Sequence, residues 1–147
     1  MDKSTTSCVR LIGFDKIYRQ SIQTKLENID IFLKENTSPF HVYEVANVLE
    51  IETTELYRLM ETLQITELDS SNFFLIVLNA SSEICKLISK QWKYAHMDAY
   101  TPEIVAEIYM LNIHKVKSAF AELGMDLITD AELIEVFKRI HLTVFSA

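Results

Sequence analysis

The chain has 147 residues, of which 49% are hydrophobic and 24% charged, and a formal net charge of −7. That balance excludes a disordered solvating segment, is enough for one domain or two small units sharing a core, and weighs against a general affinity for phosphate backbones. Two glycines and two prolines are too few for the turns of a sheet protein or the phosphate loop of a nucleotide-binding fold, so the expected class is all-α.

Residues 1–14 read as a lead-in: a polar end over 1–7, then Cys8–Phe14, either a short extended piece or an irregular one. From Asp15 the apolar positions Ile17, Ile22, Leu26, Ile29, Phe32 and Leu33 predict an amphipathic helix ending near Asn36, capped by Asp15. Thr37-Ser38-Pro39 breaks it and doubles as a helix start. Helices are expected from Tyr43 to about Leu49, from about Thr53 to Leu63 with Thr53 or Thr54 as cap, and from Ser70 or Ser71 onward. Ser81-Ser82 caps the next, Glu83 to about His96, with Ile84, Leu87, Ile88 and Trp92 on one side. Thr101-Pro102 repeats the Ser-Pro entry and opens helices over about Pro102–Met110, His114–Leu123 and Asp130–Leu142, with Gly124 as a left-handed cap.

The longest apolar run, Phe73–Leu78, is far shorter than the roughly 20 residues of a membrane helix, so no membrane partner is expected. Cys8–Phe14 has no secretory pattern, being short and interrupted by Arg10. Cys8 and Cys85 form no disulfide framework, and a reducing cytoplasm is the expected location. His41, His96, His114 and His141 lack metal-ligand spacing, and neither Gly13 nor Gly124 sits in a phosphate-cradling loop. Cys85, among apolar neighbours, reads as a core thiol. No enzyme activity, cofactor or metal is expected.

Residues 43–78 realign on 103–138 at an offset of sixty. Val45-Ala46 recurs as Val105-Ala106, Leu56 as Val116, Leu63 as Leu123 and Ile76 as Val136. Apolar character persists at helical spacing while the intervening polar residues change, which is the mark of one packing unit present twice. The expectation is two similar three-helix units, each preceded by a longer amphipathic helix. An acidic unit covers 15–80 and a second unit covers 81–147. Phe73–Leu78, apolar all round, is assigned as a central helix or a homodimer contact, and Phe73, Phe74, Trp92, Phe120, Phe137 and Phe145 are read mostly as core.

Within each unit the small residue Ala46 is followed by Leu49, Ile51, Leu56 and Leu59, and Ala106 by Tyr109, Leu111, Val116 and Ala119. About twenty residues in each copy thus resemble the helix-turn-helix of bacterial regulatory proteins, where a small residue lets two helices cross closely and apolar residues around the turn lock the crossing. The chain departs from that pattern at the turn, where Glu50 and Met110 stand in place of the usual Gly. Either the turn takes another conformation or both units are ordinary helical hairpins.

The resemblance implies that the second helix of a unit enters the major groove of duplex DNA. Residues 41–80 carry Arg58 against seven anions, which disfavours the first copy. In the second copy His114, Lys115, Lys117 and Ser118 surround Val116 and offer a reading surface, or else a solvated face. Lys86, Lys90 and Lys93 form a stripe that either neutralises phosphate or only solubilises. Lys138, Arg139 and His141 are expected in the last turns of the final helix, meeting its negative end without any ligand. The expected function is a small regulatory protein binding DNA through its second unit. The alternative is an all-helical interaction module presenting Glu50, Glu52, Glu55 and Glu61 to a basic protein partner, with no nucleic acid bound.

Overall fold

Local signals account for most of the observed element order. The structure, a computed structural model, describes residues 8–146; the polar end over 1–7 lies outside them. Strand β1 (Cys8–Gly13) leads into α1 (Phe14–Ile17), a π-helical turn (Tyr18–Ile22) and α2 (Gln23–Glu35). The five-residue gap from Ile17 to Ile22 falls where the wider π register is used, which brings both residues to half-buried positions. Then come α3 (Val42–Leu49), α4 (Thr53–Thr62), α5 (Ser70–Asn79), α6 (Glu83–Lys93), α7 (Pro102–Tyr109), α8 (Ile113–Leu123), α9 (Asp130–Lys138) and β2 (His141–Ser146). The chain is mostly helical, which agrees with the all-α expectation in outline, with one small antiparallel sheet that was not expected.

That sheet pairs β1 with β2 in a register that sets Gly13 against His141 and Cys8 against Ser146. The Phe14 N–H donates to the Ile140 carbonyl at 2.7 Å and extends the pairing. The helix expected to reach Leu142 therefore stops at Lys138. Ile140, Leu142 and Val144 alternate with His141 and Thr143, and this period of two with β-branched residues suits a strand. His141 is consequently a strand residue and does not cap a helix. At the sheet's corner a Cβ on Gly13 would meet the Asp15 carboxylate at 2.5 Å, so a larger residue there requires the Asp15 side chain to swing aside.

The chain divides into two compact units, residues 22–96 and residues up to Ser21 together with those from Met97. Helix α6, expected to lead the second block, packs on α5 and belongs to the 22–96 unit. In that unit Phe32, Phe40 and Phe73 cluster with ring centroids 5.2–6.2 Å apart. Val45, Leu49, Leu56, Leu68, Ile76, Val77 and Cys85 are buried in the same unit. Phe73–Leu78 is helical, as expected. Phe73, Ile76 and Val77 are buried, Phe74 meets Trp92 edge-on at 4.9 Å, and Leu75 and Leu78 remain exposed. Trp92 is 61% exposed and is no core residue, a correction to the expectation. Burial pushes the Cys85 thiol above its usual range, as a core thiol requires.

In the other unit Phe137, fully buried, gathers Phe14, Tyr109 and Tyr18 at 4.8, 4.9 and 5.1 Å. Val105, Val116, Ala119, Phe120, Ile128, Val136 and Ile140 are buried in the same unit. The Phe145 side chain lies outside the described residues.

At the offset of sixty the local geometry recurs in detail. Helices α3 and α7 each span eight residues. Phe40 bridges Leu68 and Tyr100 bridges Ile128, each through a 2.7 Å N–H to carbonyl bond. Ile51 N–H donates to the Ala46 carbonyl at 3.0 Å, and Leu111 N–H to that of Ala106 at 3.0 Å. These six-to-one bonds close helices α3 and α7 in the Schellman manner. The entries are not equivalent, however. Pro102 is the first residue of α7 and Thr101 caps it, whereas Pro39 lies outside α3, whose cap is His41.

Glu50 and Met110 adopt φ of 59° and 55°. The turn keeps its left-handed residue without glycine, which costs an L side chain roughly 1–2 kcal/mol. Met110 is 69% exposed and has little packing to lose. After the greater freedom of glycine in the unfolded chain is subtracted, Met110→Gly should stabilise the protein by about 0.5–1 kcal/mol. Urea denaturation measures this, and an unchanged or lower midpoint would refute strain at that turn.

The caps differ from expectation at α1 and α4: Asp15 lies inside the first turn of α1, whose cap position is Gly13 with no side-chain bond. Helix α4 starts after Glu52 with no side-chain cap bond, so neither Thr53 nor Thr54 caps it. Asp69 makes a capping box at α5, accepting from the backbone N–H of Ser71 and Asn72 while Asn72 returns a bond to the Asp69 N–H. The Ser71 hydroxyl first, then the Asn72 N–H, hold the Asp69 carboxyl below 3.8. A depressed carboxyl contributes stability that is full above its unfolded pKa and lost as pH falls through the folded one. The stability gap between wild type and Asp69→Ala should therefore be widest at neutral pH and narrow well below 3.8. Parallel urea titrations at the two pH values read the gap, and one that stays constant would count against the cap.

Candidate nucleic-acid interface

Helix α8 follows the turn at Met110 and begins at the Asn112 cap, whose side-chain Oδ1 accepts from His114 N–H at 2.9 Å and Lys115 N–H at 3.2 Å. Val116, Ala119 and Phe120 bury one side of the helix. That leaves His114, Lys115, Lys117 and Ser118 on the solvent side. Lys115 Nζ donates to the His141 carbonyl at 2.7 Å, joining α8 to the strand β2. A carbonyl is a neutral partner, so the ammonium keeps its full charge. Lys117 pairs with Glu103 at 3.6 Å, with both side chains more than half exposed. A pair that open is worth little, and a phosphate can compete for the lysine.

Beside α8 lies a groove of about 440 Å³ lined by Leu11, His114, Lys115, Ser118, Arg139 and His141. Arg139 reaches Glu135 at 3.2 Å and Glu122 at 3.8 Å. Lys138 also pairs with Glu135 at 2.9 Å. The Lys138 ammonium first, then the Arg139 guanidinium, hold the Glu135 carboxyl below its ordinary value. Three of the predicted α8 residues, His114, Lys115 and Ser118, thus share a cavity with two basic residues that the sequence reading had assigned to a helix end.

Lys86, Lys90 and Lys93 lie on α6 in the 22–96 unit, whereas α8 belongs to the other. Lys86 is 3.8 Å from Glu83, and Lys93 Nζ lies 5.1 Å from the Tyr94 ring centroid. The four carboxylates of the interaction reading are unevenly committed. Glu50 pairs with Lys25 at 3.1 Å. Glu55 accepts from the Ser81 N–H at 2.8 Å and hydroxyl at 2.7 Å, bracing the entry to α6. Glu52 and Glu61 are exposed. Arg10, Lys16 and Arg139 were absent from the sequence-derived interface. The β-branched alternation at 140–144 was the one signal pointing to a strand there.

No single helix among the described residues is long and apolar enough to cross a membrane. Comparison with protein-family models, curated proteins and solved structures finds no match for this chain.

Proposed function

We propose that the protein is a small helix-turn-helix regulatory protein that binds duplex DNA, with α8 as the inserted helix. The observation that carries this reading is the cationic character of α8 and its flank: Lys115, Lys117 and Arg139, with the polar His114 and Ser118 beside them, stand around a helix that follows a left-handed turn residue. The corresponding helix α4 offers Glu55 and Glu61 with Arg58 as its one cation. Like charge repels phosphate from α4, while α8 attracts it. His114, Lys115 and Ser118 are the residues for base edges and phosphates, and Lys117 exchanges Glu103 for phosphate. The interaction reading is the weaker, because Glu55 is already committed to the Ser81 N–H and hydroxyl.

The test is an electrophoretic mobility titration with mixed-sequence duplex DNA across a range of salt. Binding should weaken steeply as a power of the salt concentration. Absence of any retarded duplex at low salt removes the DNA reading.

A further inference from the structure

A second cationic groove, of about 620 Å³, runs along β1, with Arg10, Leu11, Asp15, Lys16, Lys138 and His141 in its lining. Leu11 and His141 line both this groove and the one beside α8. The two grooves therefore adjoin across the β1–β2 ribbon, and the Lys115 to His141 bond fastens that ribbon to α8. Together they present Arg10, Lys16, Lys115, Lys138 and Arg139 against the single carboxylate of Asp15. Glu135 tempers Lys138 and Arg139. Among the described residues, Arg10 and Lys16 enter no ion pair.

We propose that the β1–β2 ribbon is a second phosphate-binding surface, contiguous with α8, and that Arg10 and Lys16 hold the backbone of the same duplex. This rests on the DNA reading above and adds the residues that set its electrostatic reach. The lining chemistry favours backbone over bases: no Phe, Tyr or Trp lines either groove, so unpaired bases find no stacking platform. A double-stranded ligand offers the closely spaced phosphates that two adjoining cationic grooves can share.

The experiment compares wild type with Arg10→Gln/Lys16→Gln, using a mixed-sequence duplex of about 20 base pairs and a single strand of the same length as probes. At roughly 0.9 per phosphate contact, loss of two contacts should make the log–log salt slope for the duplex shallower by about 1.8. The charge-keeping variant Arg10→Lys/Lys16→Arg should retain the wild-type slope, separating charge from side-chain shape. Wild type should prefer the duplex to the single strand. If wild type binds the duplex and the glutamine variant matches its slope, the ribbon surface is refuted while α8 binding stands. If wild type binds the single strand equally well, the duplex assignment of the ribbon is refuted. If wild type binds no duplex, the DNA reading falls and this inference falls with it.

Discussion

Replacing Phe137 by alanine is expected to destabilise the protein by about 3–5 kcal/mol, the range for a fully buried aromatic truncation. The side chain is wholly inaccessible and meets three other rings within 5.1 Å. Those rings come from α1, the π-helical turn and α7, so their closest common partner is lost at once. Edge-to-face pairs add roughly 0.5–1.5 kcal/mol each beyond area burial, which places the expected cost toward the upper part of that range. Denaturant unfolding, with the slope monitored, gives the value directly. A loss below about 1 kcal/mol would mean that the site collapses around the cavity and that the cluster does not organise the unit.

The second large effect concerns binding. Lys115→Glu with Lys117→Glu should weaken duplex affinity by at least about 100-fold at moderate salt, since two phosphate contacts disappear and two repulsions replace them. Lys115 also holds the His141 carbonyl, so the reversal disturbs the ribbon as well as the charge. Lys115→Arg with Lys117→Arg serves as the control. It keeps both charges and a donor at each position, and should bind within a few fold of wild type. Conversely, Glu103→Gln releases Lys117 from its 3.6 Å partner and removes a repelling charge, and should tighten binding modestly. Unchanged affinity in the reversed variant, with circular dichroism melting intact, would remove α8 from the interface.

The helices were legible because their signals are local. Apolar spacing, Ser82 and Thr101 as caps and Gly124 as a stop lie within a few residues of the elements they govern. The left-handed turns at Glu50 and Met110 were less so. Neither residue advertises a positive φ, and the closing bonds to Ala46 and Ala106 are backbone features that side-chain identity does not encode. The ribbon was the harder case. Each strand is six residues long, and the partner of β1 lies at the far end of the chain, beyond the reach of any periodicity window. Helical continuation from Val136 through Leu142 also fitted the apolar pattern, so the local reading favoured the wrong state. Of the candidate site, the α8 residues were found because they sit on a readable motif. Arg10 and Lys16 were missed because only contacts distant in sequence, β1 with β2 and α1 with α9, bring them near His141 and Lys138.

The register that sets Cys8 against Ser146 has a practical corollary. The two extremities of the described polypeptide emerge side by side, next to the cationic grooves. A bulky group introduced at that end of either strand would crowd the surface and obstruct a ligand approaching it.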